Sequence, residues 1–132
     1  MGQGSVIKIK QVLLIEDEPN IVEAVSFLLL RDGWQVAAHN DGATAWDKAA
    51  KMCPDVIVLD VMLPNKSGYD VLSELRADPA TADIPVLMLT ARGQAKDREL
   101  AMERGANQYM TKPFSNTEVI AAINALPPPG AA

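Results

Sequence analysis

The sequence predicts an α/β domain in which a parallel five-stranded sheet is covered by helices on both faces. Two almost wholly apolar runs, residues 12–15 and 55–60, are typical of strands buried at the centre of such a sheet. Segments with helical periodicity alternate with the apolar runs along the chain, as βαβ crossovers require. The 132 residues suffice for one domain with a full core and no disulfides.

Two strand and helix pairs are predicted before the central strand. The strand at residues 12–15 runs into an acidic loop, and Pro19 suits the first turn of the helix that follows. That helix ends at Gly33, and its apolar residues share one face: Ile21, Val25, Leu28 and Leu29. A short strand at residues 34–38 and a helix at residues 43–52 complete the second pair.

Three further pairs begin with the central strand at residues 55–60. The helix after it is marked by three apolar residues and ends before Pro79: Val71, Leu72 and Leu75. A strand at residues 86–90 precedes a weakly amphipathic helix at residues 94–104, whose only apolar anchors are Leu100, Ala101 and Met102. A strand at residues 108–111 precedes a last helix, which ends near Leu126 and opens with the capping-box spacing of Ser115 and Glu118.

The chain divides into three segments. Residues 1–9 are expected to be flexible, residues 10–126 to form the domain, and residues 127–132 to be a proline-rich tail or the start of a linker.

Composition and charge argue against some classes of function. The formal net charge of −5 argues against nucleic-acid binding by this domain itself. The longest apolar cluster, residues 21–30, is too short to cross a bilayer, so we expect no membrane contact. The single cysteine, Cys53, is expected to be an inert packing thiol, and its isolation indicates a reducing cytoplasm.

The predicted strand order is 2-1-3-4-5, which is the flavodoxin-like arrangement. In that order the carboxyl ends of the first and third strands are neighbours, and Glu16, Asp17 and Asp60 meet there. Three adjacent carboxylates repel one another unless they share protons or hold a cation. Carboxylate oxygens suit a hard cation, and Mg²⁺ is the best candidate. The alternatives are that Asp60 is an ordinary turn residue and that the acidic loop holds no metal.

Two more polar residues end the other central strands at the same edge. A threonine hydroxyl, at Thr90, can hydrogen-bond an incoming oxyanion, and a lysine, at Lys112, can neutralise part of the acidic charge. Together these residues predict a site that handles phosphate.

The chain resembles the receiver domains of two-component response regulators over residues 11–126. Five motifs match in kind, order and spacing: Glu16-Asp17, Asp60 followed by Met62-Leu63-Pro64 and Ser67-Gly68, Leu89-Thr90-Ala91, residues 105–111, and Lys112-Pro113-Phe114. The resemblance implies a signalling phosphoprotein, not an enzyme acting on a separate substrate, that assists its own phosphorylation and dephosphorylation.

The resemblance also implies a role for each site residue. Asp60 accepts a phosphoryl group from a sensor histidine kinase or a histidine phosphotransfer protein. Mg²⁺, for which Mn²⁺ can substitute, is bound by Asp17, Asp60 and the carbonyl of Met62, while Glu16 acts through water.

Further implied roles concern the switch. Thr90 moves inward to bond a phosphoryl oxygen, Lys112 pairs with another, and Tyr109 rotates into the vacated space. This changes the face formed by the helix at residues 94–104, the fifth strand and the last helix, through which a homodimer can form. Small Ala91 leaves the phosphate accessible, Arg92 is hypothesised to tune its lifetime, and Lys112-Pro113 is a cis peptide.

Three alternative functions remain open from the residues. A phosphatase with an aspartyl-phosphate intermediate needs a second Asp where this chain has Met62. A nucleotide-binding domain needs a glycine-rich first loop where this chain has acids. A phosphorylation-independent interaction module has no need for Asp60, Thr90 and Lys112. His39 is expected to be a surface residue at a strand end.

Overall fold

The computed structural model describes residues 10–90 and 95–127, and these form a five-stranded parallel sheet with helices on both faces. The strands are β1 (Gln11–Ile15), β2 (Gln35–His39), β3 (Val56–Asp60), β4 (Val86–Thr90) and β5 (Gln108–Thr111). The helices are α1 (Pro19–Arg31), α2 (Ala45–Met52), α3 (Gly68–Ala77), α4 (Ala95–Glu103) and α5 (Asn116–Asn124). The strand order is β2-β1-β3-β4-β5, which confirms the predicted topology.

Alternation along the strands divides the core into two layers. In β1, Leu13 and Ile15 face a cluster with residues of α2, α3 and α4, whereas Val12 and Leu14 face a cluster with residues of α1 and α5. All five residues of β3 are buried, as expected for a strand covered on both faces.

Several boundaries differ from the sequence-based prediction by one to three residues. Trp34 precedes β2, because its backbone N–H bonds to the Leu29 carbonyl of α1 and not to a strand partner. The segment Gly42–Thr44 forms one 3₁₀ turn before α2. Asp55 precedes β3, and its side chain accepts a hydrogen bond from the Gln11 N–H at 2.8 Å. The last helix ends at Asn124, two residues before the predicted end.

Two burial predictions were wrong. Met102 is 41% exposed, so it is not an anchor of α4, and Ala101 is the buried residue of that helix among those described. Cys53 is exposed; it is the C-cap of α2, with a φ of 48°. The predicted N-terminal segment 1–9, residue 94 and most of the proline-rich tail lie outside the described residues. No described helix combines the length and the apolar character needed to cross a bilayer.

Arg76, near the end of α3, holds the segments that precede β4 and β5. Its guanidinium donates to the carbonyls of Gly105, Ala82 and Ile84 at 3.0, 3.0 and 2.7 Å, and to Asn107 Oδ1 at 3.1 Å. One side chain therefore ties α3 to the segments that enter both strands.

Candidate functional site

Three carboxylates meet where β1 and β3 end. These strands are parallel neighbours, with Ile15 opposite Leu59, so Glu16, which follows β1, lies beside Asp60, the last residue of β3. Oxygen atoms of Glu16, Asp17 and Asp60 lie within 4.8 Å of one another. The structure thus brings together the three acids that the sequence places at this edge.

Glu16 is buried, and both of its carboxylate oxygens have hydrogen-bond partners. Oε2 accepts from the backbone N–H groups of Asp17 and Glu18, at 3.1 and 3.2 Å. Oε1 accepts from Lys112 Nζ at 2.8 Å. These contacts fix the orientation of the side chain.

Asp60 differs, because one of its oxygens is buried without a hydrogen bond. The residue is 2% exposed, and Oδ1 has no hydrogen-bond partner in the described part of the chain. Lys112 Nζ lies 3.4 Å from this oxygen, close enough for an ion pair. Burial, and then the charge of Glu16, raise the pKa of Asp60 to about 7, although Lys112 acts in the opposite direction. Oδ1 can therefore bind a cation or an electrophile.

Lys112 follows β5 and supplies the positive charge of the site. Besides Glu16 and Asp60, its Nζ contacts Glu18 Oε1 at 3.5 Å. Burial acts to lower the pKa of Lys112, but the hydrogen bond to Glu16 and the charges of the three acids outweigh it and raise the pKa above its ordinary value. Lys112 thus stays charged. The contact with Glu18 was not predicted, although its place in the acidic run was a usable signal.

Thr90 and Tyr109 form a buried pair beside the acids. Thr90 ends β4 and is fully buried, and Tyr109, on β5, is 6% exposed. Burial raises the pKa of Tyr109 to about 12; a side-chain hydrogen bond with Tyr69 also raises it, and one with Thr90 lowers it. The rotation of Tyr109 expected from the resemblance stays a prediction. Tyr69 was missed, since chain spacing does not reveal which side chain lies across from β5.

Gly68 holds the loop after Asp60 against the strand. Its N–H donates to the Val61 carbonyl at 2.8 Å, and a Cβ at this position would overlap the Asp60 carbonyl oxygen. Ser67 caps α3 by accepting a hydrogen bond from the Asp70 N–H at 3.3 Å. The Ser-Gly pair therefore lets the loop close tightly on the end of β3.

The remaining predicted site residues are placed as follows. Met62 lies two residues beyond Asp60 with its side chain 57% exposed. The Lys112–Pro113 peptide is cis. His39 is half-buried at the end of β2 and bonds through Nε2 to Thr44 Oγ1 at 2.7 Å. Ala91 and Arg92 lie outside the described residues.

The donor set fits a hard divalent cation. The three acids offer only oxygen ligands, which is the chemistry that Mg²⁺ prefers. Both oxygens of Glu16 are already engaged, whereas Asp17 is exposed and Asp60 Oδ1 makes no hydrogen bond. A cleft of about 310 Å³ adjoins this edge of the sheet and is lined in part by Glu16, Asp17 and His39. Asp17 and Asp60 are therefore the acids best placed to bind such an ion directly.

The fold and the site together indicate the class of protein, a doubly wound domain that accepts a phosphoryl group. Ligands of doubly wound domains bind at the carboxyl ends of the strands, where the strand order reverses. Here that point holds three acids, a half-buried lysine and a strand-end threonine, which suit the acceptance of a phosphoryl group.

Comparison with known proteins identifies the family. The model of the response regulator receiver domain matches residues 12–124. The chain belongs to the response regulator receiver domain family. It is therefore a phosphoacceptor domain of a two-component system, and the phosphatase, nucleotide-binding and phosphorylation-independent alternatives are not favoured.

Curated relatives are about twice as long as this chain. The probable transcriptional regulatory protein TcrX of Mycobacterium tuberculosis is 44% identical over 115 residues, which are 87% of this chain and 48% of TcrX. The phosphate regulon transcriptional regulatory protein PhoB of Escherichia coli is 43% identical over 117 residues, which are 89% of this chain and 51% of PhoB. The chain thus spans about half the length of these relatives.

Solved structures agree with the fold. A putative response regulator from Chloroflexus aurantiacus is 32% identical with a TM-score of 0.84, and the match covers 89% of this chain and 96% of that one. The receiver domain of the sensor histidine kinase PA1611 from Pseudomonas aeruginosa is 31% identical with a TM-score of 0.80, covering 87% and 94%. That structure has a magnesium ion coordinated in its active-site cleft.

Proposed function

We propose that Asp60 is the phosphoacceptor and that its donor is a phosphohistidine on a sensor histidine kinase or a histidine phosphotransfer protein. The observation that carries this assignment is Asp60 Oδ1, a buried carboxylate oxygen with no hydrogen bond in the described residues, 3.4 Å from Lys112 Nζ. The oxygens of Glu16 are held by hydrogen bonds, so Asp60 supplies the nucleophile.

The transfer needs little more than positioning and charge neutralisation. A carboxylate oxygen of Asp60 forms a bond to phosphorus, the P–N bond of the phosphohistidine breaks, and its electron pair stays on the imidazole nitrogen. In the second half of the cycle, which is hydrolysis, water attacks phosphorus, the P–O bond to Asp60 breaks, and inorganic phosphate leaves. Lys112 stays protonated and balances part of the negative charge in both steps.

Mg²⁺ would be held by Asp17, Asp60 and the carbonyl of Met62, with Glu16 acting through water, and Mn²⁺ would be an alternative ion. The exposed Asp17 and the unbonded oxygen of Asp60 support this division of roles. When bound, the ion neutralises acidic charge and orients phosphoryl oxygens. The relative with Mg²⁺ in its cleft supports the choice of metal.

Phosphorylation adds a charge of about −1.5 to −2 to an already acidic cleft, judged from phosphorylated hydroxyl residues. Thr90 and Lys112 are the nearby donors that would bond the new oxygens. The resulting rearrangement would alter the face made by α4, β5 and α5, which is where we expect a partner, an output segment or a second copy to bind. Cys53 as a free thiol suits a cytoplasmic location.

The test is incubation with Mg²⁺ and an acyl phosphate, followed by mass spectrometry of the intact protein. We expect one phosphoryl adduct on the wild type and none on Asp60→Asn. Asp47→Asn, an exposed substitution in the first turn of α2, is the matched control and should keep the adduct. An adduct that persists in Asp60→Asn, or none on the wild type, would overturn the assignment. Chelation of Mg²⁺ should suppress the adduct.

A further inference from the structure

Tyr69 links two helices close to the switch pair. It lies in the first turn of α3, and its ring packs against the core cluster that contains Tyr109 and Ala101. Its hydroxyl donates to the backbone carbonyl of Asp97 in α4, at 3.4 Å. One hydroxyl group therefore reaches from the sheet side of α3 to the backbone of α4.

Tyr109 connects Tyr69 to Thr90, because side-chain hydrogen bonds join it to both residues. Each hydroxyl has one proton to donate, so a change of partner at one hydroxyl affects the next. The contacts run from Thr90 through Tyr109 and Tyr69 to the Asp97 carbonyl.

The other described contacts hold α4 only weakly, so the contact between Tyr69 and Asp97 can affect the position of the helix. Among the described residues, Ala101 is the one buried residue of α4. A second link to α3 joins Arg104 Nη1 to Asp70 Oδ1 at 3.2 Å, but these side chains are 35% and 63% exposed. Exposed ion pairs contribute little to stability. The contact through Tyr69 is better shielded from water than this ion pair.

We propose that Tyr69 is a positioning residue that transmits the state of Thr90 to α4. This inference rests on the proposed function of Asp60. When Thr90 donates its single proton to a phosphoryl oxygen, its hydrogen bond with Tyr109 is lost. The Tyr109 hydroxyl then loses the partner that orients it, the Tyr69 hydroxyl reorients in turn, and the contact with the Asp97 carbonyl changes. The position and the solvent exposure of α4 therefore depend on whether Asp60 carries a phosphoryl group.

The experiment compares Tyr69→Phe with the wild type, since this change removes the hydroxyl and keeps the ring. Amide hydrogen exchange of residues 95–103 is measured with Mg²⁺ alone and with Mg²⁺ plus beryllofluoride, a stable analogue of the phosphoryl group. We expect beryllofluoride to change exchange in the wild-type α4, and Tyr69→Phe to reduce that change about three- to tenfold. Loading of Asp60 is followed separately by the fluorine NMR signal of the bound analogue.

Asp70→Asn is the matched control, because it removes the charge of the exposed ion pair between α3 and Arg104, which follows α4, without touching the hydroxyl chain. It should alter exchange equally in both conditions and keep the wild-type response. Tyr109→Phe removes the middle hydroxyl and should reproduce the loss seen with Tyr69→Phe.

The outcomes separate the two proposals. Failure of the wild type to bind beryllofluoride contradicts the proposed function of Asp60. Normal loading with an unchanged α4 response in Tyr69→Phe or Tyr109→Phe overturns the role of Tyr69 alone. An equal loss of response in Asp70→Asn also overturns it, because any loosening of α3 from α4 would then suffice.

Discussion

Replacing Asp60 with Asn should stabilise the metal-free domain at alkaline pH while abolishing phosphorylation. In the folded wild type, the ionised Asp60 carboxylate is buried beside the Glu16 carboxylate, and these two causes raise its pKa to about 7. In the unfolded chain Asp60 titrates near its ordinary value of 3.8. Asn fills the same space without a charge, so the penalty for burying the ionised group disappears.

The magnitude follows from that pKa difference. Between pH 4 and pH 7 the folded wild type binds more protons at Asp60 than the unfolded chain, so its free energy of unfolding falls as the pH rises. The penalty approaches about 4 kcal/mol above pH 7, and it falls to about 2 kcal/mol at pH 5. Because Lys112 loses one partner in the variant, we expect a net stabilisation of about 2 to 4 kcal/mol at pH 8.

The assay is urea unfolding at pH 5 and pH 8 in the presence of a chelator, followed by tryptophan fluorescence. At pH 8 the midpoint for Asp60→Asn should exceed that of the wild type by about 1 to 2 M urea. Asp47→Asn serves as the control, with a midpoint near that of the wild type at both pH values. Excess Mg²⁺ should stabilise the wild type more than Asp60→Asn and thereby reduce the gap.

Equal midpoints for wild type and Asp60→Asn at pH 8 would refute the reasoning, because the buried carboxylate would then carry no electrostatic penalty. A gap of the same size at pH 5 and pH 8 would also refute it, since the effect would then come from packing and not from charge.

Three other substitutions test separate parts of the structure. Gly68→Ala should lower the free energy of unfolding by about 1 to 3 kcal/mol and weaken Mg²⁺ binding, because the added Cβ displaces the Asp60 backbone. Calorimetry measures the Mg²⁺ affinity, and an unchanged affinity would contradict the link between Gly68 and the metal site. Gly105→Ala should cost about 1 to 3 kcal/mol in thermal or urea unfolding without changing Mg²⁺ affinity, because Gly105 has a φ of 108° and its Cβ would approach Arg76 Cγ to 2.9 Å. Arg92→Ala should change the rate at which the phosphoryl group is lost, followed by the decay of the adduct in mass spectrometry, and an unchanged rate would remove Arg92 as a tuning residue.

Much of the fold could be predicted from the chain, because its central strands are short, apolar and bounded by polar residues. A run such as Val56–Asp60 has no other stable place than the middle of the sheet. The site followed from the same fact, since parallel strands deliver the residues after their carboxyl ends to one edge. Glu16, Asp60 and Lys112 could therefore be grouped before any contact was known.

Other features depend on tertiary contacts that spacing does not encode. Trp34 continues the apolar pattern of β2, but a hydrogen bond to Leu29 keeps it outside the strand. Met102 has an apolar side chain, yet the axial rotation of α4 exposes it. Tyr69 gives no sequence signal of its role, because its partners lie on β5 and α4, each distant in the chain.

Lys112 explains how so many acids are tolerated in one cleft. Its Nζ is closest to Glu16, at 2.8 Å, and lies 3.4 Å from Asp60, so its shortest contact is with Glu16 and not with the proposed phosphoacceptor. Glu16 is thereby fixed in orientation, whereas Asp60 keeps an oxygen without a hydrogen bond. If the two distances were exchanged, Asp60 would be a better stabilised and therefore poorer nucleophile. The unequal distances from one lysine thus fit the different roles that we propose for the two neighbouring carboxylates.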